Sequence, residues 1–198
     1  MVAVIDYDTG NLRSVMNALQ RAGVEYVVTS DVEVIRGADK VLLPGVGEAS
    51  SAMEKLRERG LDTVIPTLTQ PVLGICIGLQ LMCESSEEGD AKCMGIFPTQ
   101  VVKLPSVDGE GSLLKVPHVG WDTIEELKTP LYNDIKEGAH LYYVHSFAAQ
   151  LCDATIATTT YGVKFSASLN VGNFYGTQFH PEKSGSIGEV ILQNFLKI

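Results

Sequence analysis

Four short apolar runs, each closed by turn residues and separated by amphipathic stretches, constrain this chain more than any other feature. Val2–Ile5, 25–29, 41–43 and 72–75 are too short for buried helices and rich in β-branched residues, so they read as strands. Between the first two, Leu12, Val15, Met16 and Leu19 recur at i, i+3, i+4 and i+7, which predicts one apolar helix face, stopped by Gly23. After the third, Met53 and Leu56 predict a second inward-facing helix ending at Arg59-Gly60. Strands alternating with helices imply βαβ units and a parallel sheet covered on both faces.

Beyond about residue 95 the pattern changes. The stretches 97–104, 139–147, 154–161, 164–169 and 173–179 read as strands joined by short turns, with a loop at 107–112. Ile187, Val190, Ile191 and Phe195 fall at helical spacing and predict a closing helix. The expected fold is therefore α/β: one domain over 1–198, its sheet parallel in the first half and partly antiparallel in the second, with helices on both faces.

Composition narrows the function classes. At 198 residues, 45% hydrophobic and 20% charged, the chain has the profile of a globular domain. No apolar run reaches the roughly 18 residues of a membrane span, and Asp6 and Asp8 interrupt the apolar start, so a soluble, cytoplasmic protein is expected. A net charge of −9 repels phosphate backbones and argues against nucleic acid. Cys76, Cys83, Cys93 and Cys152 form no C-x-x-C pair, and His118, His140, His145 and His180 lack zinc spacing. Neither a metal site nor a disulfide framework is expected, and three of the thiols read as small buried hydrophobes.

Cys76 stands apart. Gly74-Ile75-Cys76-Ile77-Gly78 lies where a buried strand turns into a helix, which is the sulfur version of the G-x-S-x-G nucleophile elbow. Such a turn sets the thiol at a strand's carboxyl end and a helix's N-terminus, where the helix dipole favours thiolate. His180-Pro181-Glu182 follows another strand. In an extended segment i and i+2 share a side, so Glu182 can hold one imidazole nitrogen while the other faces outward. A nucleophile, a base and an orienting carboxylate are the parts of a triad. An oxyanion hole needs two N–H donors. One is expected from Ile77 and the other from Val46, in the glycine-rich strand end Pro44-Gly45-Val46-Gly47, with the Val46 N–H pointing away at rest.

With these motifs the chain resembles the class I (triad) glutamine amidotransferases. Leu43-Pro44-Gly45-Val46-Gly47, Pro117-His118-Val119-Gly120-Trp121, Tyr143-Val144-His145-Ser146 and His180-Pro181-Glu182-Lys183-Ser184 are similar, within that family, to the glutaminase subunits of imidazole glycerol phosphate synthases. The resemblance covers essentially the whole chain and implies a flavodoxin-like build. It implies that Cys76 attacks the side-chain amide of glutamine, that His180 moves the proton and that Glu182 holds the ring. It implies substrate contacts at Gly45, Gln80, Glu88, Ser146 and Phe147, and no cofactor. It also implies a partner, a (β/α)8-barrel cyclase subunit forming a heterodimer, met at or near Asn11, Arg13, Trp121, Tyr142 and Lys183. The chain departs from the family pattern at Asp8, where glycine is usual, at Glu48 and Ala49, and at Asp122, where asparagine is usual. Glutaminases of other synthases, a non-enzymatic regulator and a stand-alone thiol hydrolase are the rival readings.

Overall fold

The structure, a computed structural model, describes residues 1–8 and 12–198. Its first half runs β1 (Val2–Ile5), α1 (Leu12–Arg21), β2 (Tyr26–Thr29), α2 (Val32–Gly37), β3 (Lys40–Gly45), α3 (Ala49–Glu58), α4 (Leu61–Val64), β4 (Val72–Cys76) and α5 (Ile77–Met82). Then follow β5 (Ser85–Ser86), β6 (Ala91–Lys92), β7 (Gln100–Lys103), β8 (His118–Ile124), β9 (Ala139–His145), β10 (Phe147–Ala149), β11 (Thr155–Tyr161), β12 (Val163–Val171), β13 (Phe174–Thr177) and α6 (Gly185–Lys197).

The main sheet has seven strands in the order β11-β12-β13-β4-β3-β1-β2. Strands β2, β1, β3, β4 and β13 are mutually parallel, which is the 2-1-3-4-5 order of flavodoxin-like folds with β13 in the fifth place. β12 and β11 continue it antiparallel. The steps β1 to β2 and β3 to β4 run in opposite directions across the sheet, so right-handed crossovers place α1 and α3 on opposite faces. α6 joins α1, tied by Arg21 Nε to Glu189 Oε1 at 2.7 Å, and α5 packs beside α3. Between the layers Ile5, Leu42, Leu43, Leu73, Leu79, Phe179 and Phe195 are fully buried. No helix among the described residues is long and apolar enough to cross a membrane.

The mixed sheet agrees with the sequence reading, but the second half is divided among three sheets. β10-β7-β5-β6 form a small second sheet, and β8 pairs with β9 in a separate antiparallel ribbon. The strand expected over 139–147 is broken at Ser146, whose carbonyl accepts from Leu104 N–H at 2.9 Å. Helix α2 was not anticipated, although Asp31 is a plain N-cap, accepting from the N–H groups of Glu33 and Val34. Of the three thiols expected to be buried, Cys83 and Cys93 are, whereas Cys152 is only half-buried beside the loop before β11.

Candidate active site

The carboxyl ends of β3, β4 and β13 meet at Cys76. This residue ends β4 with φ 55° and ψ −109°, a backbone conformation that costs energy for any side chain but glycine and is the hallmark of an elbow. The flanking glycines are required by packing. A Cβ on Gly78 would lie 1.8 Å from the Leu43 carbonyl oxygen, and one on Gly74 would lie 2.6 Å from the Gly78 backbone. Only bare backbone lets α5 turn so sharply onto β3.

His180 and Glu182 come together differently from the expectation. His180 is extended, but Pro181–Lys183 is a 3₁₀ turn rather than a continued strand. Proline suits the first position of such a turn, because its fixed φ is helical and its missing N–H has no partner there. The turn folds Glu182 back, so that His180 Nδ1 lies 2.8 Å from Glu182 Oε1 with both side chains almost wholly buried. His180 Nε2 is buried, has no hydrogen-bond partner within the protein and faces the Cys76 side of the cavity. Burial works against the imidazolium, yet the nearby Cys76 sulfur and the Glu182 carboxylate outweigh it and raise the His180 pKa to about 9.

A cavity of about 250 Å³ gathers most of the expected site residues: Val46, Cys76, Ile77, Gln80, Glu88, Ser146, Phe147 and His180. Gly45 does not line it. It pairs in register with Cys76, and a Cβ there would meet Tyr7 Oη at 2.5 Å, so its part is to let β3 and the elbow pack closely. Val46 follows directly, which brings the expected donors Val46 and Ile77 to the walls of the same cavity. Glu88 is no freely solvated acid: it is half-buried, its Oε2 accepts from Ala49 N–H at 2.9 Å, and burial raises its pKa. Gln80 spends its amide nitrogen on the protein, donating to the Phe147 carbonyl at 2.8 Å and to Gln178 Oε1 at 3.0 Å, while its Oε1 is buried without a partner.

Among the residues expected at a partner interface, Trp121 is 56% exposed on β8 and stands edge-on to half-buried Tyr142 across the ribbon, at 5.9 Å between rings. Lys183 is half-buried and Arg13 exposed, and Asn11 lies outside the described residues. Asp8 takes φ 62°, the left-handed region that explains a glycine preference, and is held there by Arg59 and by Lys55 on its carbonyl.

Two features in or behind the cavity wall escaped the sequence reading. Gln178, fully buried, donates from Nε2 to Cys76 Sγ at 3.7 Å. His145 donates from Nδ1 to the Phe147 carbonyl at 2.9 Å and lies 3.2 Å by Nε2 from His118 Nδ1. His118 Nε2 in turn is 3.4 Å from Asp122 Oδ2. Burial lowers the His145 pKa to about 3, so the ring is neutral at ordinary pH.

An elbow cysteine facing an imidazole that a carboxylate holds, in a small polar-ended cavity, is the equipment of a thiol-dependent acyl transferase. A model of the glutamine amidotransferase class-I family matches residues 3–198, and the chain belongs to that family. At finer grain it is similar to proteins named imidazole glycerol phosphate synthase subunit HisH. That of Bacteroides fragilis is 53% identical over 197 residues, spanning 100% of this chain and 99% of the relative. That of Colwellia psychrerythraea is 40% identical over 211 residues, spanning 98% and 92%. Among solved structures, PurLQS from Thermotoga maritima superposes with a TM-score of 0.72 over 99% of this chain and 97% of that one, at 19% identity, a likeness of fold.

Proposed function

We propose that the whole of 1–198 is one glutamine amidotransferase domain, the glutaminase subunit of an imidazole glycerol phosphate synthase. It hydrolyses glutamine to glutamate and hands the ammonia to a separate cyclase subunit, a (β/α)8 barrel, in the cytoplasm. The observation that carries this reading is the His180 ring, with Nδ1 on Glu182 and a buried, partnerless Nε2 beside Cys76. With His180 protonated up to about pH 9, the Cys76 proton already rests on the ring, and the sulfur adds as thiolate to the side-chain amide carbon. Collapse of the tetrahedral adduct breaks the C–N bond, His180 returns the proton to the leaving nitrogen, and ammonia departs. Water, giving its proton to His180, then cleaves the thioester.

Val46 and Ile77 supply the oxyanion N–H groups, the Val46 peptide turning inward when the partner's substrate is bound. Glu88 meets the α-ammonium of glutamine, and the Ser146–Phe147 backbone its carboxylate. Gln80 serves through the segment it holds and through its free Oε1. Glutamine hydrolysis without an acceptor wastes the product, because ammonia freed into water is protonated, so a docked partner over the cavity follows from the chemistry. A diazo-ketone analogue of glutamine should label Cys76 alone among the four thiols and abolish glutaminase activity. Cys76→Ala should abolish glutamine-dependent synthesis by the complex while synthesis from ammonium salts persists. Loss of activity with the label on Cys83, Cys93 or Cys152 would overturn the assignment.

A further inference from the structure

We propose that Gln178 is a further catalytic residue, whose side-chain amide donates a hydrogen bond to the Cys76 sulfur and stabilises it after its proton has left. The inference rests on the reading of Cys76 as the nucleophile.

The orientation of the Gln178 amide follows from a chain of forced choices. The Phe147 carbonyl can only accept, so the Gln80 group 2.8 Å from it is the amide nitrogen. That same nitrogen lies 3.0 Å from Gln178, so the Gln178 atom facing it is the oxygen. The other end of the Gln178 amide, 3.7 Å from Sγ, is therefore N–H. Turning Gln80 over would set its oxygen against the Phe147 carbonyl and Gln178 Oε1, and turning Gln178 over would set two NH2 groups against each other, in a site without solvent, since Gln80 and Gln178 are 1% and 0% exposed. The Phe147 carbonyl is pinned from its other side by His145 Nδ1–H, so the anchor of the chain is itself fixed.

The sulfur has need of such a donor. Its other close polar neighbour is the Val144 carbonyl, 3.8 Å away, which can take the thiol hydrogen but repels an anionic sulfur. Once the proton is on His180, that carbonyl offers no stabilisation, and the donors facing sulfur are the imidazolium and Gln178. The titratable groups around it are His180 with Glu182 behind it, His145 from β9 and Glu88 on the cavity wall. Gln178 itself cannot titrate, and at 0% exposure it has no contact with solvent. A hydrogen bond to a charged acceptor is stronger than one to a neutral acceptor, so the donor acts on the charged sulfur more than on the resting thiol.

The test uses the full chain and iodoacetamide, which reports the sulfur without requiring substrate. Gln178→Glu keeps the shape and the acceptor for Gln80 but presents no amide donor, and Gln178→Met removes donor and acceptor together. Both should slow Cys76 alkylation at pH 7 about tenfold, the lower end of what a donor to a charged group contributes, with the rate recovering at higher pH. In the complex, both should lower kcat for glutamine while KM changes less than twofold, because the donor touches sulfur and not substrate. Should either variant fail to fold, the unsubstituted position answers: the Gln178 side-chain amide proton resonance should move when Cys76 is alkylated. Alkylation rates and pH curves equal to those of the unsubstituted chain, or an amide resonance indifferent to Cys76, would refute the role of Gln178. Labelling that inactivates the chain at another cysteine would instead refute the nucleophile reading.

Discussion

His180 works under opposed influences, and their balance has a measurable consequence. Burial favours the neutral ring, but Cys76 and Glu182 together hold the proton until about pH 9. In the proposed mechanism that proton is delivered to the departing nitrogen, so glutamine turnover should fall as the pH rises through about 9. Glu182→Gln removes the charge and leaves at most a neutral amide oxygen as acceptor at the 2.8 Å contact, so the alkaline limb of kcat should move to lower pH. A limb left in place by that variant would separate Glu182 from the proton of His180. The raised pKa also stabilises the fold fully below the ordinary histidine value of about 6.5, and that contribution is lost as pH rises through about 9. His145, held neutral by burial, does the reverse, losing its contribution as pH falls from about 6.5 towards 3. The elbow, His180 and Glu182 were legible in the sequence because each rests on a local motif. Gln178 and the His118–His145 pair were not, because their meaning comes from partners 102, 98 and 27 positions away.

At the scale of elements, the triad depends on how α6 seats the turn before it. Gly188 sits in the first turns of α6, and a Cβ there would lie 2.0 Å from the Pro181 carbonyl oxygen and 2.8 Å from Ser184 Cβ. Backbone cannot give way as a flexible side chain does. Gly188→Ala should therefore push the Pro181–Lys183 turn outward, cost about 1–3 kcal/mol of stability and lower glutaminase activity by drawing Glu182 from His180. Gly37→Ala, at the end of α2 with nothing within 4 Å of its new Cβ, is the control and should be neutral in both urea melts and turnover. Equal effects from the two would remove the packing argument. The same turn shows where sequence reasoning reached the right contact by the wrong route: alternation along a strand was expected, and a proline-started 3₁₀ turn made the pair instead. The ribbon strand β8 went unread for a related reason. Its polarity is inverted, with His118 and Ile124 buried while Val119 and Trp121 are each 56% exposed, so no inward apolar period announces it.

That inversion acquires its meaning at the scale of the whole molecule. The parallel strands bring Val46, Cys76 and His180 to one end of the sheet, and the β8–β9 ribbon stands over that end, its Val144 lining the cavity. An apolar, outward-facing edge beside a catalytic mouth suits a partner that must seal the mouth against water. The ribbon is also tied to the triad. His180 N–H donates to the Tyr142 carbonyl at 2.9 Å, and Tyr142 N–H donates to Ser184 Oγ at 2.9 Å, so the backbone beneath Trp121 and the turn bearing Glu182 move as one. Trp121 is the only tryptophan of the chain, which makes its emission a direct report of that face. Adding the cyclase subunit should shift the emission to shorter wavelength as the indole leaves water. Trp121→Ala should weaken association by about 30-fold, the scale of a central aromatic anchor worth about 2 kcal/mol. Val171→Ala, an exposed apolar residue where β12 pairs with Phe174 opposite the start of β4, at the end of the sheet away from Cys76, should leave the affinity unchanged. An emission maximum that stays put at saturating partner, or equal affinities for the two variants, would place the docking surface elsewhere on the molecule.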